Sequence, residues 1–175
     1  MSALLSPWDT TVCERTLTGK GLAAKLTLPL TAFLASRKCP GNAIRQAMDW
    51  AIIQAKAKTP VISGFHSPLE RSVLEVVLVA KSPAVLVLAR DAAHATVTPS
   101  WLNAAEAGHL TIIGPHGKSK RLTADQSEER NDLVAALAQR IVIAYVSPGG
   151  LLSRHIEAWG KRKPVEQLVA DEEQG

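Results

Sequence analysis

The sequence predicts a doubly wound α/β domain, a mostly parallel sheet with helices on both faces. From residue 27 onward, strand-like runs without helical period alternate with longer stretches that have it. Most of the runs are continuously apolar rather than alternating, as in strands covered on both sides. The helical stretches open on capping residues and Pro and close near Gly. Strand and helix in this rhythm require right-handed crossovers, which build a doubly wound sheet.

Taken in order, the first strand is T-L-P-L-T-A-F-L-A (27–35). A helix follows over 41–58, with Ile44, Ala47, Met48, Ala51, Ile52 and Ala55 as its buried stripe and Arg45, Gln46, Asp49, Gln54 and Lys56 mostly outside. The second strand, P-V-I-S (60–63), leads to Ser67-Pro68-Leu69-Glu70, where Ser caps, Pro suits the first turn and Glu completes a capping box. The third strand, A-V-L-V-L-A (84–89), precedes a helix from Thr98-Pro99 to Gly108. The fourth, L-T-I-I (110–113), precedes one that opens at Thr123-Ala124-Asp125-Gln126 and carries Leu133, Val134 and Leu137. The fifth, I-V-I-A-Y-V (141–146), runs into S-P-G-G and a last helix with Leu152, Ile156 and Trp159 on one side and Gly160 as its stop.

The chain has 175 residues, 46% of them apolar, which suits one domain, since domains run to about 100–200 residues. That domain is expected over 27–168, after an extension (1–26) that lacks a clear period and packs on the sheet, and before an acidic tail (169–175). The net charge of +4 leaves anionic small molecules and nucleic acid open as partners. Cys13 and Cys39 are the only cysteines, and the N-terminus lacks the basic start and apolar core of a signal peptide, so a cytoplasmic location is expected. Lys81, Ser82 and Pro83 break the most apolar stretch well short of the ~20 residues a membrane helix needs, and no membrane partner is expected.

In open α/β sheets ligands bind beyond the carboxyl ends of the strands. The loops there read S-R-K-C-P-G (36–41), S-G-F-H-S-P (63–68), R-D (90–91), P-H-G-K-S-K-R (115–121) and S-P-G-G (147–150). Arg37, Lys38, Arg90, Lys118, Lys120 and Arg121 thus rise on one edge beside Gly64, Gly149 and Gly150 and several helix N-termini. Glycine admits a close backbone approach, and helix N-termini offer free N–H groups, so the edge predicts a phosphate site. Ser63 and Gly64 are its expected cradle. Phe65 reads as either a base-stacking platform or a buried plug.

Neither G-x-x-x-x-G-K-[ST] nor G-x-G-x-x-G occurs, against ATPase and dehydrogenase readings. The histidines at 66, 94, 109, 116 and 155 lack metal-ligand spacing, and Ser63 sits in no nucleophile elbow. No metal, cofactor or catalytic residue is expected.

At these loops the chain resembles the DNA-processing protein A (DprA, also called Smf) family, within the wider Rossmann-like group that includes the LOG enzymes. S-R-K-C-P-G resembles the family's G-S-R segment, V-I-S-G-F-H-S-P-L-E (61–70) its V-V-S-G-x-A-R-G-I-D, and E-R-N-D-L-V-A-A-L-A (129–138) its F-x-x-R-N-R helix. The similarity runs in order over roughly 30–165. It implies a Rossmann-like core, a homodimer, and a basic groove for single-stranded DNA or RNA lined or supported by Ser36, Arg37, Ser63, Gly64, Arg130 and Asn131. Arg130 and Asn131 read equally as a pair tying loops to the sheet edge.

His66-Ser67-Pro68 stands where the family has A-R-G, removing one phosphate-binding arginine. The LOG motif P-G-G-x-G-T-x-x-E is only partly present in P-G-G-L-L-S-R-H-I-E (148–157), with Glu157 one residue late, about 100° around a helix. The expectation is a non-enzymatic binding module for single-stranded nucleic acid. The alternatives are a LOG-like pocket for a free nucleotide, with weak nucleoside-monophosphate hydrolysis through Glu157, and a scaffold whose pocket has decayed.

Overall fold

The computed structural model of the protein describes residues 5–117 and 124–169. Its sheet comprises β1 (Trp8–Val12), β2 (Arg15–Lys20), β3 (Thr31–Leu34), β4 (Val61–Ser63), β5 (Ala84–Val87), β6 (Leu110–Pro115), β7 (Arg140–Ile143) and β8 (Val165–Gln167). The spatial order is β1-β2-β6-β5-β4-β3-β7-β8. The six strands from β6 to β8 run parallel, and β1 and β2 are antiparallel additions beside β6.

The chain winds outward from β3 first through β4, β5 and β6, then returns to place β7 on β3's other side. The helices α1 (Gly41–Ala57), α2 (Pro68–Val79) and α3 (Pro99–Glu106) cover one face. The other face is covered by α4 (Ala124–Leu137) and α5 (Ile156–Gly160). Two cores result, one around Phe33, Trp50, Val73 and Leu86, the other around Leu34, Ile62, Val134 and Ile143. The doubly wound, mostly parallel sheet expected from the sequence is the fold observed.

Several elements differ from the sequence reading. The segment 8–20 is a hairpin continuing the sheet, held by a Trp8 Nε1 donation to the Gly21 carbonyl at 2.8 Å. The first parallel strand is shorter than 27–35, because Ala23–Thr27 forms a 3-10 turn and Pro29 has no N–H for a ladder. The predicted last helix is a 3-10 turn at Leu151–Arg154 followed by the short α5, and β8 follows it as the edge. Thr123 of the predicted fourth cap lies outside the described residues, as does 170–175 of the tail.

The α1 stripe keeps Ala47, Ala51 and Ala55 of the expected residues but turns toward Ala43 and Trp50 and away from Ile44 and Ile52. Ala43, Ala47, Trp50, Ala51 and Ala55 are buried, while Ile44 and Ile52 are 44% and 43% exposed. The alanines let the helix lie close to the sheet, and Trp50 fills the remaining gap by stacking on Phe33, ring centroids 5.1 Å apart. Among the described residues, no helix is long and apolar enough to cross a membrane.

Candidate functional site

The strands β3 and β7 lie side by side, but the chain leaves them toward opposite faces, which opens a crevice beyond their carboxyl ends. Ser36 holds the two loops together there. Its N–H donates to the Tyr145 carbonyl at 3.0 Å, and its Oγ accepts the Ser147 N–H at 2.8 Å.

The α2 N-terminus forms the third wall. Ser67 Oγ accepts the Glu70 N–H at 3.3 Å, and Glu70 Oε1 accepts the Ser67 N–H at 3.2 Å, the expected capping box. Glu70 does more than cap: Oε1 also accepts the His66 N–H at 2.9 Å, and Oε2 accepts the Ala35 N–H at 3.0 Å. One buried carboxylate therefore ties the end of β3 to the start of α2. The walls enclose an open cleft of about 470 Å³.

Into this cleft reaches Arg130 from α4, only 8% exposed. Among the described residues, its Nη2 makes one long donation to Asn131 Oδ1, at 3.4 Å, and its Nε has no hydrogen-bond partner. Gly64 makes room for it, since a Cβ there would lie 2.5 Å from Arg130 Nε. Burial pulls the Arg130 pKa down and Glu70's charge opposes that pull. Burial pushes the Glu70 carboxyl up, against the three N–H donors and Arg130. Partial burial, then the charges of Arg130, Arg71 and Arg37, push the His66 imidazole below its usual range. His66 thus lies in the field of three guanidinium groups from three elements.

The cleft collects Ser36, Arg37, Lys38, Arg130, Asn131 and Gly150 of the predicted residues. Arg37 and Lys38 are exposed on its rim and have no ion pair among the described residues. Gly149 is exposed and takes a φ of +72° beside it. Ser63 is not a phosphate contact: it is fully buried and its Oγ accepts the Phe65 N–H at 3.0 Å. Gly64 is likewise buried, and its role is to admit Arg130. Phe65, 1% exposed, is the plug rather than an open platform. Arg90 donates to the Thr96 carbonyl at 3.0 Å and lines neighbouring pockets instead. Lys118, Lys120 and Arg121 lie outside the described residues.

Glu157 faces solvent, 3.9 Å from Lys161, and does not line the cleft, so the hydrolytic role considered for it loses its geometric basis. His66 also lines the cleft, while Arg71 and Trp101 line a smaller neighbouring cavity, and the sequence reading assigned none of the three to the site. The signal for His66 was its position two residues after Gly64 and directly before the Ser67 cap.

No protein-family profile matches the sequence, and no curated protein does. Among solved structures, the chain is similar to DNA processing protein A from Helicobacter pylori, described for its single-stranded DNA binding mode: 17% identity, TM-score 0.72, covering 95% of this chain and 82% of that one. It is also similar to DprA from Streptococcus pneumoniae, at 16% identity and TM-score 0.68, covering 87% of this chain and 54% of the other. A molybdenum cofactor binding protein from Rippkaea orientalis matches at 13% identity and TM-score 0.56, covering 80% of this chain and 76% of that one. The fold is DprA-like, as the ordered motifs implied.

Proposed function

We propose that the chain is a non-enzymatic binding module that holds phosphates of single-stranded DNA or RNA in the cleft between β3 and β7. One observation carries the reading: the buried Arg130 guanidinium lines the cleft, and its Nε has no hydrogen-bond partner among the described residues. A buried donor without an acceptor is costly, and an anion oxygen supplies the missing acceptor. The exposed cations Arg37 and Lys38 favour the same guest. The H. pylori protein of the same fold is a single-stranded DNA binder, which supports the polymer as ligand.

Fluorescence anisotropy with a labelled oligothymidylate tests the proposal. Contacts from Arg37, Lys38 and Arg130 give a log–log salt slope of about −2, at about −0.7 per phosphate on single strands. Salt-insensitive or absent binding would refute the reading. Sedimentation of the purified chain tests the accompanying homodimer proposal.

A free nucleotide is the second reading, favoured by a cleft of about 470 Å³, within the size range of small-molecule pockets. If monophosphates raise the melting temperature and oligonucleotides do not, this reading replaces the first.

A further inference from the structure

The strand β1 forms one edge of the sheet, and among the described residues it pairs with β2 alone. The direction of its backbone groups follows from that neighbour. Thr11 stands opposite Thr16, whose carbonyl accepts the His116 N–H at 3.1 Å on the β6 side. Since Thr16 faces β6, the alternation of an antiparallel ladder turns the backbone groups of Trp8, Thr10 and Val12 toward β2 and those of Asp9 and Thr11 toward the open edge. Cys13 and Glu14, at φ +51° and +62°, close the hairpin as the two left-handed residues of a I′ turn, which fixes that register. The other edge of the sheet is blunted: β8 has three residues, follows Pro164 and carries Glu166 in an ion pair with Arg140. The five-residue β1 has neither Pro nor Lys to guard it.

We infer that this edge is a self-association surface: β1 pairs antiparallel with β1 of a second copy about a two-fold axis at Thr10, joining the two sheets into one. This interface belongs to the homodimer proposed above and rests on that reading. The chemistry of the edge selects the register. Outward-facing groups must meet outward-facing groups, so the axis passes through Asp9, Thr10 or Thr11. An axis at Asp9 sets two carboxylates opposite each other and draws in Pro7, which has no N–H. An axis at Thr11 draws in Cys13, whose left-handed backbone does not fit a strand. The axis at Thr10 avoids both. Asp9 then exchanges both backbone bonds with the second copy's Thr11, and the reciprocal pair does the same. On the face that carries the half-buried Trp8, Thr10 and Val12, Trp8 comes beside the second copy's Val12, an aromatic and β-branched pair at each end of the seam. The indole is already fixed by its bond to the Gly21 carbonyl and by lying over Gly19, so pairing does not have to order it. A seam this short makes a weak, concentration-dependent dimer.

The test combines sedimentation of wild type and Thr11→Pro over a concentration series with oxidative cross-linking of Thr10→Cys and Thr11→Cys, each in a Cys13→Ser background. Wild type should dimerise. Thr11→Pro removes an N–H that points outward, where an edge strand tolerates Pro. Its melting temperature at low concentration should therefore match wild type, while its dimer weakens by about 10- to 100-fold. Thr10→Cys should give a covalent dimer on a non-reducing gel, because directly opposed, non-hydrogen-bonded residues stand about 4.5 Å apart between Cα atoms, within disulfide reach. Thr11→Cys should not, since the two copies of that residue are offset by about 7 Å along the strands. Cross-linking reads the register even if Thr11→Pro folds poorly.

A wild-type dimer that Thr11→Pro leaves intact and Thr10→Cys does not trap would overturn this interface and leave the homodimer reading standing. Equal trapping of Thr10→Cys and Thr11→Cys would likewise remove the interface. A wild-type chain that stays monomeric at every concentration would remove both.

Discussion

Replacing Glu70 with alanine removes the acceptor of three backbone N–H groups and the charge facing Arg130. The Ala35 and Ser67 amides belong to buried residues, and each unsatisfied buried group costs about 1–3 kcal/mol. Loss of the Glu70 charge also removes the influence that favours the charged form of buried Arg130. Because these terms share one network they do not add, so Glu70→Ala is expected to lose about 3–5 kcal/mol. In Glu70→Gln the amide oxygen still serves His66 and Ser67, but the NH₂ meets the Ala35 N–H donor, for a loss of about 1–3 kcal/mol. Urea unfolding of the three proteins at neutral pH measures both losses. Glu70→Ala within about 1 kcal/mol of wild type, or Gln as damaging as Ala, would refute the claim that this carboxylate joins β3 to α2 through these bonds.

Other substitutions probe the site's surroundings. Asp91 accepts from Thr18 Oγ1 at 2.6 Å and from the Ala93 and Gly117 N–H groups at 2.8 Å each. Burial pushes its carboxyl up, but these bonds and the charge of His94 outweigh burial and hold it below the usual range. Its folded pKa is thus depressed, so its contribution is present above about pH 3.9 and is lost as pH falls through the folded value. Asp91→Asn should cost about 1–3 kcal/mol at neutral pH, and the deficit should shrink in acid; a constant deficit across an acid titration of melting temperature would contradict this. Gly64→Ala should displace Arg130, lowering stability by about 1–3 kcal/mol in denaturant unfolding and weakening oligonucleotide affinity. His66 has a lowered pKa in the free protein, and a bound phosphate favours its protonated form, so affinity should rise as pH falls below neutral. Anisotropy titrations of His66→Gln should show a flatter pH profile; an unchanged profile would remove His66 from the site.

The parallel core was legible because its strands are unbroken apolar runs and because Ser67-Pro68-Leu69-Glu70 marks a helix start locally. The β1–β2 hairpin was not, since its buried residues include Thr18, which is satisfied by Asp91, 73 positions away. The α1 stripe misled because its isoleucines outweigh alanines in hydrophobicity, whereas close helix-to-sheet packing favours the small residues. The same division runs through the site. Glycines and cations after the strands announced the cleft, but sequence does not reveal which cation is buried. That distinction falls to Arg130 through Gly64, a neighbour 66 positions earlier in the chain. Glu70 was read as a cap because one oxygen acts locally, while its bond to Ala35 appears only once β3 and α2 meet.

The central claim is that a phosphate occupies the cleft at Arg130, and a crystal structure with a bound short oligothymidylate tests it most directly. A phosphate oxygen is expected within about 3.2 Å of the Arg130 guanidinium, between the 36–38 loop and the α2 N-terminus. A strand bound on another face, with the Arg130 guanidinium making no contact to it, would contradict a phosphate site in the cleft.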